Sequence, residues 1–313
     1  MWDNVRIVAD ETEHVKKIIF TKETAVAEAV LYRYPDYQTR TVICCSTQSG
    51  CPIGCRFCGS GDYFVRSLTK DEIVSQVTRA IEETGLNSAE FNRLQVMFMS
   101  MGEPMLNQKS LIPALYELHA LMPRAELLIS TMGPMVPYLD FANASVDIPT
   151  VGLQFSIHES TDEARNKLIP FAKKMNLKQI SRVGAAWHVF TGRNPFINYC
   201  AHEANSSDED ADRLANLFDP EIFKATVSVI CERSEGLEAS NEYQRNLATD
   251  FASKLVSRGF DVRVFDPAGQ DTIGGGCGQL WFVQEWMRNN PDKARPSIGF
   301  EKPLIHVPKN ECN

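Results

Sequence analysis

Three cysteines stand in the run Cys51-Pro52-Ile53-Gly54-Cys55-Arg56-Phe57-Cys58, a C-x3-C-x2-C spacing. A loop this tight can wrap three thiolates around one inorganic centre, and the fold has to be built around it. An ordinary 4Fe–4S cluster takes four cysteines, one per iron. Three leave one iron open to a ligand that is not protein. The other reading is a structural zinc loop, which needs a fourth Cys or His nearby. None lies within fifteen positions after Cys58.

The rest of the composition fits such a centre. Five of the nine cysteines fall between Cys44 and Cys58, which suits a metal or redox site in a reducing compartment better than a secreted disulfide framework. For Cys45, Cys200, Cys231 and Cys312 the expectation is an inert buried residue. With 43% hydrophobic and 23% charged residues, the 313-residue chain has a globular balance and can bury its own core. It has no membrane-length apolar run and no secretory core after Met1-Trp2-Asp3-Asn4, so the expected location is the cytoplasm. The net charge of −8 argues against strong nonspecific binding to nucleic acid. Lys16-Lys17, Arg33 with Arg40, and Lys173-Lys174 with Lys178 read as solvated faces.

Hydrophobic patterning gives strands at Val5–Val8, Val15–Phe20 and Ala25–Tyr34, then a β/α rhythm. Strands are expected at 40–46, 94–100, 127–130, 150–157, 196–200, 224–231 and 261–265, with helices between most of them. Thr69 and Glu72 form a capping box at one helix start, and Ser160 with Glu163 is expected to cap another. This order argues for an α/β fold, a partial (β/α) TIM-like barrel with a small N-terminal β extension. The expected divisions are 1–39 for the extension, 40–285 for the core barrel and 286–313 for a C-terminal tail. Chemistry in such barrels sits at the C-terminal strand ends. There lie Cys51, Gly102-Glu103, Ser130, His158 and Arg233. The glycines flanking Cys277 (Gly274-Gly275-Gly276 and Gly278) suit a thiol that must travel between two positions, and Cys44 stands seven residues ahead of Cys51.

Taken together these segments are specific. The cysteine loop, Met99–Asn107, Ile129-Ser130-Thr131, Phe155-Ser156-Ile157-His158 and Cys277-Gly278-Gln279-Leu280 follow one another as they do in a known family. The chain resembles the RlmN/Cfr family of radical S-adenosylmethionine (SAM) adenine methyltransferases acting on RNA. The likeness covers roughly residues 25–281 in order. It implies that Cys51, Cys55 and Cys58 bind a 4Fe–4S cluster. It implies that Gly102, Glu103, Ser130, Ser156, Ile157 and His158 contact SAM, with Arg233 at a further contact position where the family has asparagine. It implies that Cys277 becomes S-methylated, that Cys44 resolves it through a disulfide, and that Glu28 accepts a proton. Otherwise His158 would be a satisfied core histidine and Glu28 a solvent-facing strand residue. Relatives carry a helical module ahead of the strand at Ala25, where this chain has only Met1–Thr24.

The implied reaction uses two SAM molecules per turnover to methylate an adenine carbon of ribosomal or transfer RNA. Carbon 2 is favoured over carbon 8 as the commoner family activity. An electron donor such as flavodoxin or ferredoxin, a monomeric protein and no membrane contact complete the expectation. Two other readings accommodate the same residues: the same two-cysteine chemistry on a nucleotide or other non-ribosomal substrate, or a non-catalytic iron–sulfur sensor.

Overall fold

The computed structural model describes residues 2–9, 11–62, 64–229 and 237–266. Cys231, Arg233, Cys277, Cys312 and the expected tail lie outside the described residues. Among the described residues ten strands form one sheet, in the order β1-β2-β3-β4-β7-β8-β9-β10-β11-β12. The first three are β1 (Asn4–Ala9), β2 (Val15–Lys22) and β3 (Ala25–Arg33), an antiparallel meander that joins β4 (Thr41–Cys44). Within this sheet, from β4 onward every further pairing is parallel. The strands are β7 (Leu94–Phe98), β8 (Glu126–Thr131), β9 (Val151–Ser156), β10 (Phe196–Cys200), β11 (Lys224–Ser228) and β12 (Val262–Phe265). Two short strands, β5 (Gln48–Gly50) and β6 (Phe64–Ser67), pair antiparallel and close the base of the cysteine loop.

The helices are α1 (Lys70–Glu82), α2 (Gln108–Leu121), α3 (Leu139–Asp147), α4 (Asp162–Leu168), α5 (Leu177–Thr191), α6 (Asp208–Leu217) and α7 (Leu237–Val256). All but α4 contribute to one apolar core with Ile43, Val96, Ile129, Phe155, Ile197 and Val227. With the helices on one face, the other face must curl inward to escape water. Arg263 on β12 reports that curl. A flat sheet would place it roughly 29 Å from β4, at about 4.8 Å per strand. Instead its guanidinium is held below its ordinary pKa, first by burial and then by the charges of Arg40, before β4, and Arg93, before β7. The architecture is a partial barrel.

Local signals explain the elements. The Thr69–Glu72 capping box is present, and Glu72 also accepts from Arg66 at 2.7 and 2.9 Å, so α1 is tied to β6. At α4 the cap is Thr161, whose hydroxyl accepts from Ala164 N. Ser160 is not the cap: its hydroxyl is drawn to Asp210, the capping-box carboxylate of α6. The expectation that Lys16-Lys17 forms a solvated face fails at Lys17. β2 is covered on both sides there, and the Lys17 side chain is 0% exposed.

Gly184 lets α5 lie against Phe223 and Phe155. A Cβ there would come within 2.5 Å of the Phe223 ring. Gly184→Ala is expected to destabilise the fold by roughly 1–3 kcal/mol through overpacking, read as a lower thermal midpoint than wild type.

Candidate functional site

Strand alternation sorts the sheet residues into two sets. Ala27, Leu31, Ile43, Val96, Leu127 and Leu153 face the helices. The concave face carries Glu28, Cys44, Ser130, Ser156, Asn198, Cys200 and Ser228. Cys44 lies opposite Val30 and Met97 in register, with Glu28 one pleat nearer the cysteine loop. This face is polar toward the C-terminal ends of the parallel strands, where the loop begins.

The cysteine loop has a shaped backbone. Gly54 adopts φ +73°, and a Cβ on Gly61 would stand 2.6 Å from the Gly54 Cα, so only glycine permits the crossing. Arg56 N donates to Leu168 O at 2.9 Å, which seats the loop on the end of α4. Ile53, Met132, Leu168 and Ile169 pack beneath Cys51, Cys55 and Phe57. Burial pushes the Cys51 and Cys55 thiols well up, and the charge of neighbouring thiols in the loop pushes them further. Among the described residues no group of three or more His, Cys, Asp and Glu side chains converges on a single-ion site.

Gly102 and Glu103 bind the next loop to the cysteine loop. Gly102 has φ +95°, and a Cβ on it would come within 2.6 Å of Gln48 Cβ. Glu103 N donates to Gln48 Oε1 at 2.9 Å. The Glu103 carboxylate accepts from Met105 N (2.9 Å), Thr131 Oγ1 (2.6 Å) and Met132 N (2.8 Å). Burial raises its pKa to about 7 despite those bonds and the nearby Arg165 charge. Three of about four acceptor sites on the carboxylate are thus taken within the protein. Arg165 is itself buried and donates to Met175 O and Met132 O.

Ser130 and Ser156 hydroxyls lie 3.1 Å apart, and Gln154 Nε2 donates to Ser130 at 3.1 Å. Ile157 N and His158 N both donate to Asn198 O, at 3.0 and 3.3 Å. His158 is buried in the left-handed region at φ +58°. Its ring meets Phe57 edge-on at 4.8 Å, and its Nδ1 has no hydrogen-bond partner among the described residues. Burial, with the charges of Arg165 and His202, lowers its pKa to about 3. It is a neutral imidazole with an orphaned nitrogen, not a satisfied core histidine. Backbone strain and an unpaired buried polar atom on one residue point to a ligand. Glu28 is fully buried and does not face solvent.

Sequence reasoning missed Cys200. At the C-terminal end of β10, its thiol is pushed up to about 12, first by burial and then by the charges of Cys58 and Glu159. A fourth thiol thus stands on the concave face, opposite Ser228 of β11. It was readable only as the last inward residue of a strand in the β/α series. Asn198 and Ser228, joined at 2.7 Å, were missed for the same reason.

A solved radical SAM methyltransferase from Sphaerobacter thermophilus has the same fold, with a TM-score of 0.71 at 26% identity, over 88% of this chain and 80% of that one. No protein-family model matches the chain. The protein is thus an enzyme of the radical SAM methyltransferase class. A probable dual-specificity RNA methyltransferase RlmN from Bifidobacterium adolescentis is 30% identical over 88% of this chain and 72% of its own length. Its counterpart from Parafrankia sp. is 33% identical over 85% and 71%. The chain belongs to the RlmN family of RNA methyltransferases.

That family implies a 4Fe–4S cluster and SAM. The donor set fits a cluster: three soft thiols share one apolar-backed loop, and the buried His158 Nδ1 beside it lacks a partner. Cys200→Ala separates three ligands from four. With the three loop cysteines as ligands, the variant is expected to keep wild-type iron content after anaerobic reconstitution. Loss of about one quarter or more of the iron would make Cys200 a ligand.

Proposed function

We propose that this enzyme methylates an adenine carbon in RNA, carbon 2 in preference to carbon 8, through a methyl-cysteine. Cys51, Cys55 and Cys58 would hold the cluster, and Gly102, Glu103, Ser130, Ser156, Ile157 and His158 would surround SAM, with Arg233 a further contact. Bound together, cluster and SAM supply the methyl group and one-electron cleavage of a sulfonium bond, with electrons from a donor such as flavodoxin or ferredoxin. The remaining roles fall to this chain's side chains.

Cys277 carries the methyl group as a thioether. The target carbon of adenine is electron-poor and cannot itself attack a sulfonium methyl, so a protein sulfur that can is the reason for a carrier. Glu28 accepts the ring proton. Cys44, having lost its proton, then attacks the Cys277 sulfur: the sulfur–carbon bond breaks, its electron pair goes to the product carbon, which takes up a proton to become the methyl group, and the disulfide formed must be reopened by a reductant. The observation that carries this reading is the shared face: Glu28 and Cys44 are neighbours on the concave side of β3 and β4, at the end where the cysteine loop leaves β5. Cys44 is a free thiol in the structure. Burial raises its pKa to about 12, so it attacks only when a base or the opened site helps ionise it.

Cys277→Ala is expected to abolish transfer of labelled methyl from SAM to RNA isolated from cells lacking the gene, while SAM cleavage under reduction persists. Cys44→Ala should accumulate protein joined to RNA through Cys277, detected by mass spectrometry. Methylated RNA from Cys277→Ala would refute the reading. Label found only in mononucleotides would favour the smaller-substrate reading.

A further inference from the structure

Two opposite charges are buried side by side on the concave face. Lys17 Nζ on β2 lies 3.2 Å from Glu28 Oε2 on β3, and both side chains are 0% exposed. In register Lys17 stands opposite Val30 and Glu28 opposite Ile19, so the two are diagonal neighbours. Around them Val15, Ile19, Val26, Val42 and Met97 form an apolar cluster. Desolvating an ion pair there costs about as much as its attraction returns, and apolar residues of similar size often hold a sheet as well. The pair therefore calls for a reason other than stability.

The backbone of Glu28 is fixed with unusual care. β4 ends at Cys44, which would leave the Glu28 peptide groups without a strand partner. Hydroxyls take the strand's place. Ser46 Oγ and Ser100 Oγ each donate to Glu28 O at 2.7 Å, and Glu28 N donates to Ser46 Oγ at 3.2 Å. Ser46 leads toward the cysteine loop and Ser100 into Met101-Gly102-Glu103. The carboxylate is thus indexed to both loops of the site.

We propose that Lys17 is a positioning residue that holds the Glu28 carboxylate ionised and aimed along the concave face. The inference rests on Glu28 as the proton acceptor proposed above. In that step the proton leaves the ring carbon for a Glu28 carboxylate oxygen, the C–H electron pair stays with the ring, and Lys17 remains an ammonium. Without its cation, a buried carboxylate is protonated near neutral pH and cannot accept a proton. Among the described residues, the titratable groups on this side of Glu28 are Lys17 from β2 and the Cys44 thiol from β4. β5 presents no titratable group, and α1 packs on the opposite side, where Glu72 meets Lys22 and Arg66.

The test compares wild type, Lys17→Met, Lys17→Arg and Glu28→Gln. Methyl transfer to RNA from cells lacking the gene is followed against pH, and the Glu28 carboxyl is read by infrared difference against Glu28→Gln. Wild type is expected to show an ionised Glu28 at pH 7. Lys17→Met should show the carbonyl band of a protonated acid, with activity at pH 7 down about tenfold or more and the acid limb of the profile moved to higher pH. Lys17→Arg should keep the ionised band. An unchanged profile and an ionised Glu28 in Lys17→Met would overturn the inference. So would a protonated Glu28 in wild type at pH 7, a measurement that stands even if Lys17→Met fails to fold. Full activity in Glu28→Gln would remove the proton-acceptor reading itself. An inactive Glu28→Gln beside an unaltered Lys17→Met would leave that reading and reject only the role of Lys17.

Discussion

A strand turns alternate side chains to opposite sides of its sheet, and in this fold the two sides have different fates. One lies under the helices. The other curls inward and keeps its polar residues, since it is closed off by neighbouring strands. A one-residue slip of β3 against β4 would send Glu28 into the helix layer, bring Leu31 into the concavity and part Glu28 from Cys44. The antiparallel β2–β3–β4 ladder fixes that register with its hydrogen bonds, and Ser46, Ser49 and Ser100 extend it past the end of β4.

The site depends equally on charges taken out of water. Most ion pairs elsewhere on the molecule are exposed, such as Lys167–Glu163 and Lys224–Asp261, and contribute little. The titratable groups at the site are buried: Lys17 pairs with Glu28, Glu103 accepts from backbone N–H groups and the Thr131 hydroxyl, and Arg165 donates to two carbonyls. Each joins segments distant in the chain. Glu103 links the turn after β7 to the end of β8, and Arg165 links α4 to that same end and to the approach to α5. This is a preorganised frame, in which a ligand finds its surroundings already set.

Much of this was legible in the sequence, for reasons that can be named. The strand at Leu94–Phe98 announced itself by an apolar run, and α1 by the Thr69–Glu72 capping box at its start. α3 was not readable: it is nine residues long and no side chain caps it. α5 carried a signal that was overlooked, Asn176 with Gln179, a capping box like that of α1. The short β5 and β6 hold together because they clamp the loop between them, which no periodicity reveals. Lys17 and Glu28 were ambiguous because a charged residue in an alternating strand reads as outward. Only the second layer of packing over β2 and β3 shows that outward here is the inside of the barrel. Cys51, Cys55 and Cys58 were plain from spacing, whereas Cys200 joined them only through the order of strands.

Three loop cysteines would leave one iron free for SAM on the concave side of the sheet. Electron–nuclear double resonance on the anaerobically reconstituted, reduced protein tests it directly, with SAM labelled with 15N at the amino group and 17O at the carboxylate. Hyperfine coupling from both labels to the cluster is expected, absent when unlabelled SAM is used. A paramagnetic cluster that ignores both labels, or a protein that takes up zinc in place of iron, would contradict it.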